Sequence, residues 1–334
     1  MTVEHDIEKT PAEIDGLLCA YLLDGEGGGK ALDWTGVRAW KPSDGLLWVH
    51  LDRMAKPARD WLLKESGIAK VVDESLLADE TRPRILTEKD ALVVFLRGVN
   101  LNPGANPEDM VDVRCHIEAN RIVTLRDARL MAIKDLREAI DRGAGPKTSG
   151  EFLVRMADRL IDRMSSVITE IDEVLDDLEH SVQQMASAEL RNRLRRTRQI
   201  SIMLRRYLAP QRDAVLRLQV ERPTWLSDLD SAMLREVADR TTRYVEDLEA
   251  ARERAAAVQE EFNYQISERM NRTMYALTVV AAILLPPSLV AGLFGINVGG
   301  MPGIDNNAAF WIVVAAVAVL AVVEYICLRK LRWI

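Results

Sequence analysis

The stretch GLFGINVGG, residues 292–300, places four glycines and one asparagine in the least charged part of the chain. No charged residue occurs in residues 273–304, and after Asp305 none occurs before Glu324. A helix needs about 20 apolar residues to cross the hydrocarbon core of a bilayer. Residues 274–294 and 309–328 both meet this requirement. Two such runs in succession predict two membrane spans, with the glycine-rich stretch between them.

The charges that flank the spans predict their orientation. Arginines precede the first span, Lys and Arg follow the second, and residues 295–308 between the spans contain neither. Because cytoplasmic loops carry the excess of Lys and Arg, both termini are expected in the cytoplasm and the connecting loop outside. The acidic, polar start of the chain is unlike a secretory signal peptide. We therefore expect a multi-pass protein of the cell inner membrane with a large cytoplasmic body.

The composition excludes several functional classes. The net charge of -7 argues against nucleic acid as a partner. The three cysteines, Cys19, Cys115 and Cys327, are too few and too widely spaced for a disulfide framework or a CxxC metal site. The four histidines are scattered, and the sequence contains no catalytic triad, dinucleotide fingerprint or HExxH motif. An enzyme is therefore not expected.

The first 150 residues are typical of a mixed α/β domain. Short runs rich in Val, Ile and Leu predict strands, and helical patterns occur at residues 57–66 and 129–141. The predicted strands are GLLCAYLL, LLWVHLD, ALVVFLRGVNL, DVRCHIEA and RIVTLR. The run GEGGGK, residues 25–30, is similar to a phosphate-binding loop but lacks the leading Gly and the Ser or Thr that would hold magnesium, so a turn is expected there.

Helices alone are predicted after the linker at residues 142–150. Residues 151–186 contain nine acids and three arginines, whereas residues 187–219 contain nine arginines and two acids. This reversal predicts an antiparallel helical hairpin whose flanks attract each other, and it disfavours RNA binding by RNRLRRTR.

A longer helix is expected after Pro223, because no Pro or Gly occurs from there until Pro286. Its apolar positions recur every three or four residues from Met233 to Met274 and run into the first span. A narrow seam on a single rod favours burial against neighbouring subunits, with packing inside one subunit as the alternative. The rod contains twelve acids and seven arginines between Glu221 and Met270, an excess that either lines a cation-attracting vestibule or forms a solvated face.

Two spans in one chain cannot enclose a water-filled path, so a pore requires a ring of copies. In such a ring the first span would line the axis, and the chain would leave the helix at the glycine-rich stretch. Non-helical backbone at membrane depth is tolerated where it lines a cavity. A ring of Asn297 side chains would offer neutral amide oxygens that hold a hydrated cation weakly enough to release it.

The motif FGINVGGMPG, residues 294–303, resembles the Gly-x-Asn motif of the CorA metal-ion transporter superfamily, with Ile296 where Met is usual. Together with RGVNLNPGANPEDM, residues 97–110, it is similar to the ZntB-type zinc-transporter branch. The resemblance covers essentially the whole chain. It implies a homopentameric funnel with a cytoplasmic α/β/α domain and a long stalk helix that continues into the first of two C-terminal transmembrane helices.

The resemblance also implies the site and the substrate. Gly295, Ile296 and Asn297 would form the outer cation-binding motif, and the pore-facing positions would lie near Met274, Leu277, Leu285 and Ser288. The branch favours zinc uptake coupled to protons, with cadmium and nickel as further substrates. Zinc efflux and a magnesium or cobalt channel of the CorA type remain alternatives, and Ile296 argues against magnesium. Zinc is the transported substrate, and no cofactor is expected.

The expected organisation therefore has seven parts. They are an α/β domain (1–150), a helical hairpin (151–222), a stalk helix (223–272), the pore-lining span (273–295), a periplasmic loop (296–308), the second span (309–328) and a basic cytoplasmic tail (329–334). A membrane-anchored coiled-coil sensor is the alternative from another class, but the loop between the spans is too short for a folded ligand-binding domain.

Few residues outside the outer motif are candidates to bind a metal ion or carry a proton. Zinc prefers sulfur and nitrogen ligands, yet the outer motif offers oxygen, so zinc is expected to pass it hydrated. Cys115 and His116 are adjacent on a predicted strand, so their side chains would point to opposite faces and not share a metal. Glu324 lies near the basic end of the second span, which favours a position at the cytoplasmic interface over a proton relay.

Overall fold

The computed structural model describes residues 15–79, 81–184, 187–218, 222–295 and 308–330. The described residues divide into two compact units. The first comprises residues up to 181 together with 187–258, and the second comprises 182–184 with residues from 259 onward.

The first unit is built on a seven-stranded sheet with strand order β2-β1-β3-β7-β6-β5-β4. Neighbouring strands are antiparallel except β3 and β7, which are parallel. The strands are β1 Leu17–Leu23, β2 Gly29–Ala31, β3 Leu46–Asp52, β4 Arg84–Glu88, β5 Ala91–Gly98, β6 Val111–Ile117 and β7 Arg121–Arg126. All five predicted strands are confirmed.

Helices cover both faces of the sheet. Alternate residues of β3 point to opposite sides, as the pleat requires. Leu47, Val49 and Leu51 belong to a core with residues of α2 (Lys56–Lys64) and α3 (Lys70–Leu77). On the other face, the Trp48 ring lies 5.1 Å from that of Phe152 in α5 (Ser149–Gln184), centroid to centroid.

Two strands and two helices were not predicted, and each is short or polar. β2 has three exposed residues, and the sequence of β4, RILTE, contains two charges at the edge of the sheet. Helix α1 (Trp34–Ala39) has six residues and α3 has eight, too few for a clear helical period. The remaining helices are α4 (Met131–Asp141), α6 (Ala188–Arg217), α7 (Asp228–Phe294) and α8 (Ala309–Lys330).

The seam of the long helix α7 is buried within a single chain. Val237, Leu248, Ala255 and Phe262 are at most 5% exposed, as are most apolar residues of the stripe along α5. The expectation that neighbouring subunits cover this seam is therefore wrong over residues 237–262. The alternative, packing inside one subunit, is correct there, because these residues are buried within the single chain.

Ion pairs show which helix attracts the acidic face of α5. Arg254 of α7 lies within 3.7 Å of Asp172, Asp176 and Glu179 of α5. Arg240 of α7 contacts two further α5 carboxylates, those of Asp158 and Asp162. Arg193 of the basic helix α6 forms an ion pair with Asp177 of α5, at 3.7 Å. Among the described residues, the acids of α5 thus form more ion pairs with α7 than with α6, whereas the sequence suggested α6.

The apolar helices of the second unit have exposed surfaces. Helix α7 continues through Pro286 and Pro287 to Phe294, and both α7 and α8 contain segments apolar enough to span a membrane. Leu285 and Leu289 are each 66% exposed, and Trp311 in α8 is 70% exposed. The predicted fold class, an α/β domain with a long helix continuing into two C-terminal apolar helices, is confirmed.

A buried arginine fixes the end of α3 to the sheet. Arg114 of β6 is 1% exposed, and its Nε lies 2.7 Å from the Asp112 carboxylate. Its Nη1 donates to the carbonyl of Leu76 at 2.7 Å and to that of Ala78. The guanidinium therefore neutralises one buried charge and also satisfies backbone acceptors where the helix ends.

Replacing this guanidinium should destabilise the domain. Arg114→Met leaves Asp112 buried without its charge partner, which costs about 3–5 kcal/mol, so the midpoint of thermal unfolding should fall by at least about 5 °C. The measurement is thermal unfolding of the full chain in detergent. Arg38→Met is the control because the Arg38–Glu65 pair is exposed and contributes about 0–1 kcal/mol. Equal midpoints for the two variants would contradict this assignment.

Candidate cation pathway

One face of α7 carries the four residues expected to line a pore. At about 100° per residue, Met274, Leu277, Leu285 and Ser288 fall within about 80° of one another around the helix axis. Met274, Leu277 and Leu285 are 59%, 65% and 66% exposed, and Ser288 is exposed as well. The structure thus places all four on one accessible stripe of an uninterrupted helix.

The same stripe contains three residues that were not among the predicted pore-lining positions. Thr278, Ala281 and Gly292 follow the same three-and-four spacing, which would have identified them. The Thr278 hydroxyl donates to the Met274 carbonyl at 2.8 Å, and this bond satisfies it within the helix. A Cβ atom added at Gly292 would meet nothing within 4 Å. The upper part of the stripe therefore consists of small side chains and leaves room along that face.

The helix ends where the motif begins. The Gly295 amide donates to the carbonyls of Ala291 and Gly292, at 3.0 and 3.1 Å, which tightens the last turn. Ile296 and Asn297, the other two residues of the expected outer motif, lie outside the described residues. Gly295 falls on the same stripe as Met274 and Ser288, so the motif starts on the accessible face.

Two prolines lie inside the span, immediately before Ser288. Pro286 and Pro287 have no N–H, so the carbonyls of Ala282 and Ile283 do not receive the usual helix bonds from them. A carbonyl without a donor is costly in lipid unless protein or water reaches it. This part of α7 is therefore better suited to a wet or protein-covered position than to direct contact with lipid tails.

Glu324 is the only charged residue within the two expected spans. Its Oε2 is enclosed and has no hydrogen-bond partner in the described part of the chain. The position at the cytoplasmic interface, expected from the sequence, stays a prediction.

The α/β domain provides no metal site in its described residues. Groups of three or more His, Cys, Asp or Glu side chains with metal-binding geometry do not occur among them. Cys115 packs its sulfur 3.6 Å from that of Met156, and burial raises the pKa of its thiol. His116 instead lines a cavity with Ile68, Glu88 and Glu118, and burial lowers its pKa to about 4. The two side chains lie on opposite faces of the sheet, as predicted.

The glycine-rich run after β1 is a turn. The Asp24 carboxylate accepts hydrogen bonds from the amides of Glu26, Gly27 and Gly28 at 2.7–3.0 Å. Gly27 has a φ of 111°, and a Cβ there would lie 2.8 Å from the Gly143 carbonyl oxygen. The amides that would bind a phosphate are thus occupied by the turn's own aspartate.

Together, these features define an α/β domain attached to a C-terminal pair of membrane helices, the first of which presents a continuous accessible stripe. Residues 43–330 match the family of CorA-like Mg2+ transporter proteins. The chain belongs to this family.

Individual relatives match over nearly the whole chain. The divalent cation transporter CmaX of Pseudomonas aeruginosa is 41% identical over 96% of this chain and 97% of its own length. The zinc transport protein ZntB of Yersinia pseudotuberculosis is 32% identical over 98% of this chain and 99% of its own. The solved structure of full-length CmaX matches with a TM-score of 0.85 and 39% identity, covering 97% of this chain and all of that one. The resemblance to the CorA superfamily and to ZntB is confirmed.

The accessible stripe predicts which positions of α7 meet water. In a Cys327→Ser background, Ser288→Cys should react with a membrane-impermeant thiol reagent, and the reaction should block cation flux. Val290→Cys is the matched control at nearly the same depth, because it points about 160° away from the Met274 direction. Equal labelling of the two cysteines would show that the stripe does not line a water-filled path.

Proposed function

We propose that the chain is a divalent cation transporter of the inner membrane that works as a homopentamer, with α7 lining the pore. The observation that carries this proposal is the stripe from Met274 to Gly295, which leads to a Gly-Ile-Asn sequence without meeting a charge. A single copy leaves this stripe exposed, and a ring of copies turns it inward to surround a shared axis. The family consists of transporters rather than enzymes, in agreement with the missing catalytic motifs.

The site chemistry supports transport of a hydrated ion. The described stripe offers thioether, alkyl and hydroxyl groups, and Asn297 would add amide oxygens at the outer end. This set lacks the thiolate and imidazole ligands that strip water from zinc. A ring of neutral oxygens instead holds the hydration shell, and this weak binding allows the ion to leave again.

Zinc is the ion that we propose, taken up from outside and coupled to protons. The name of the ZntB relative supports zinc, whereas CmaX, which has higher identity, is named more broadly for divalent cations. Cadmium and nickel are proposed as further substrates because they are divalent ions that a weak oxygen ring would also admit. Ile296 in place of the usual methionine separates the chain from the magnesium-type members of the family.

Glu324 is the group that we assign to proton coupling. It is the only ionisable side chain with a charge at neutral pH within the two spans, and one of its oxygens is enclosed without a partner. A carboxyl group inside a span is the kind of side chain that forms proton relays in transporters. A cation and a proton moving in the same direction would then share one conformational cycle.

The outer amide ring is tested by Asn297→Ala. Zinc uptake into proteoliposomes should fall at least about tenfold, because the side-chain oxygens that hold the hydrated ion are lost. The oligomeric state by size-exclusion chromatography with light scattering should remain pentameric. Asn306→Ala, in the same loop but outside the motif, serves as the control. Normal zinc uptake by Asn297→Ala would refute the ring, and a monomeric wild-type protein would refute the pore.

The ion and the coupling are tested in one flux assay. Zinc should enter faster than magnesium, and zinc entry should rise when the outside is more acidic than the inside and fall when the gradient is reversed. Acidification of the lumen should accompany zinc entry. Zinc uptake that ignores the gradient and leaves the internal pH unchanged would contradict proton coupling, and faster magnesium entry would favour the magnesium alternative.

The variant Glu324→Gln tests proton coupling while leaving the cation pathway in place. The amide keeps the shape of the side chain and cannot carry the proton, so zinc entry should lose its dependence on the pH gradient while uptake down a zinc gradient persists. A variant that keeps the wild-type pH dependence would remove Glu324 from the mechanism.

A further inference from the structure

A cavity of about 440 Å³ in the α/β domain is lined almost entirely by arginine. It lies beside the edge strand β4 and its neighbour β5, where α6 contacts both strands. Its lining residues are Thr81, Arg82, Arg84, Arg97, Arg206 and Tyr207. This concentration of positive charge occurs in a chain whose net charge is -7.

The four arginines have no carboxylate partner within the described part of the chain. The Nη atoms of Arg97 donate to the backbone carbonyls of Met110 and Thr81, at 2.9 and 3.1 Å. Arg84 donates to the hydroxyl of Ser75 at 2.7 Å. These acceptors are neutral, so they orient the guanidinium groups but leave their charges uncompensated.

The nearest candidate for compensation is already bound elsewhere. Asp112 lies opposite Arg97 in the sheet, but its carboxylate contacts Arg114 at 2.7 Å and accepts from the Thr81 hydroxyl at 3.2 Å. Like charges around one cavity repel, and the repulsion is relieved when an anion enters. The described protein groups therefore do not neutralise the positive charge of the cavity.

Aromatic rings and the backbone hold the walls in place. The Arg84 guanidinium lies 4.4 Å from the Phe95 ring centroid, and that of Arg97 lies 4.3 Å from the Tyr207 ring centroid. The Arg97 amide donates to the Gln211 side chain of α6 at 2.7 Å. The site thus has two fixed cations in its walls, and the exposed Arg82 and Arg206 are free to contact a ligand directly.

A second basic cavity shows what a compensated site looks like. Its cations include Lys134 and Arg137, but Glu138 and Asp141 line the same space, and Lys134 pairs with Glu138 at 3.6 Å. Carboxylates of this kind do not occur among the described lining residues of the cavity beside β4 and β5.

We propose that the arginine-lined cavity binds a small molecule that carries two linked phosphate groups. Guanidinium groups match phosphate oxygens with paired N–H donors, and several of them are needed to neutralise a diphosphate. The volume lies within the range of small-molecule sites, so it admits more than an inorganic ion. The site is separate from the stripe on α7 and does not depend on the transported ion.

The probe is inorganic pyrophosphate, titrated calorimetrically into the full-length protein in detergent. EDTA is present throughout, so that binding through a transported metal ion is excluded. We expect saturable binding of one pyrophosphate per chain, at least about tenfold tighter than inorganic phosphate because two phosphate groups meet the four cations. Absence of saturable binding, or equal affinity for the two anions, would overturn the proposal.

The exposed arginines supply the matched variants. Arg82→Gln with Arg206→Gln should weaken pyrophosphate binding at least about tenfold, because both direct contacts are lost. Arg59→Gln with Arg198→Gln changes the net charge equally at two exposed arginines outside the cavity and should bind as the wild type does. Equal binding by both double variants would show that the arginine cavity is not the site. Zinc flux is also measured for the Arg82 and Arg206 double variant. This measurement reports on the transport proposal separately from pyrophosphate binding.

Discussion

The packing of α5 against α7 is the interaction on which the rest of the structure depends. The apolar stripe of each helix is buried within the chain, and Arg240 and Arg254 of α7 bind acids of α5. A helix of 67 residues has too narrow an apolar face to remain ordered in water alone. The apolar face of α7 is buried up to Phe262, and the helix continues without interruption into its apolar segment.

The same packing determines what remains available to other molecules. On the N-terminal side of residue 262 the apolar face of α7 is buried. The exposed acids of this part of the helix therefore form its accessible side. Beyond that point towards the C-terminus, the large apolar residues of α7 are exposed within the described chain. The change from a buried seam to an exposed one occurs within a single helix.

Charge is distributed in the α/β domain according to burial. Arg114 is enclosed and is bound to Asp112 and to the carbonyls at the end of α3, which makes it a structural residue. Arg82 and Arg206 are exposed beside a cavity whose described lining residues include no carboxylate, which makes them available to an anion. The net charge of a protein therefore says little about where an anion or a cation binds, because each site depends on which charges the fold has already compensated.

The sequence by itself determined the two spans, the five principal strands and the stripe along α5, because each of these follows from a local period or a run of apolar residues. The pore-facing positions from Met274 to Ser288 came from the family resemblance, and they stay a prediction that agrees with their position on one face of α7. The tertiary structure decided that α7 packs on α5 inside one chain, and that Arg82, Arg84 and Arg97 meet Arg206 of a distant helix at one cavity. Pairings of this kind depend on which surfaces the sheet and helices bring together, and local sequence carries no record of that choice.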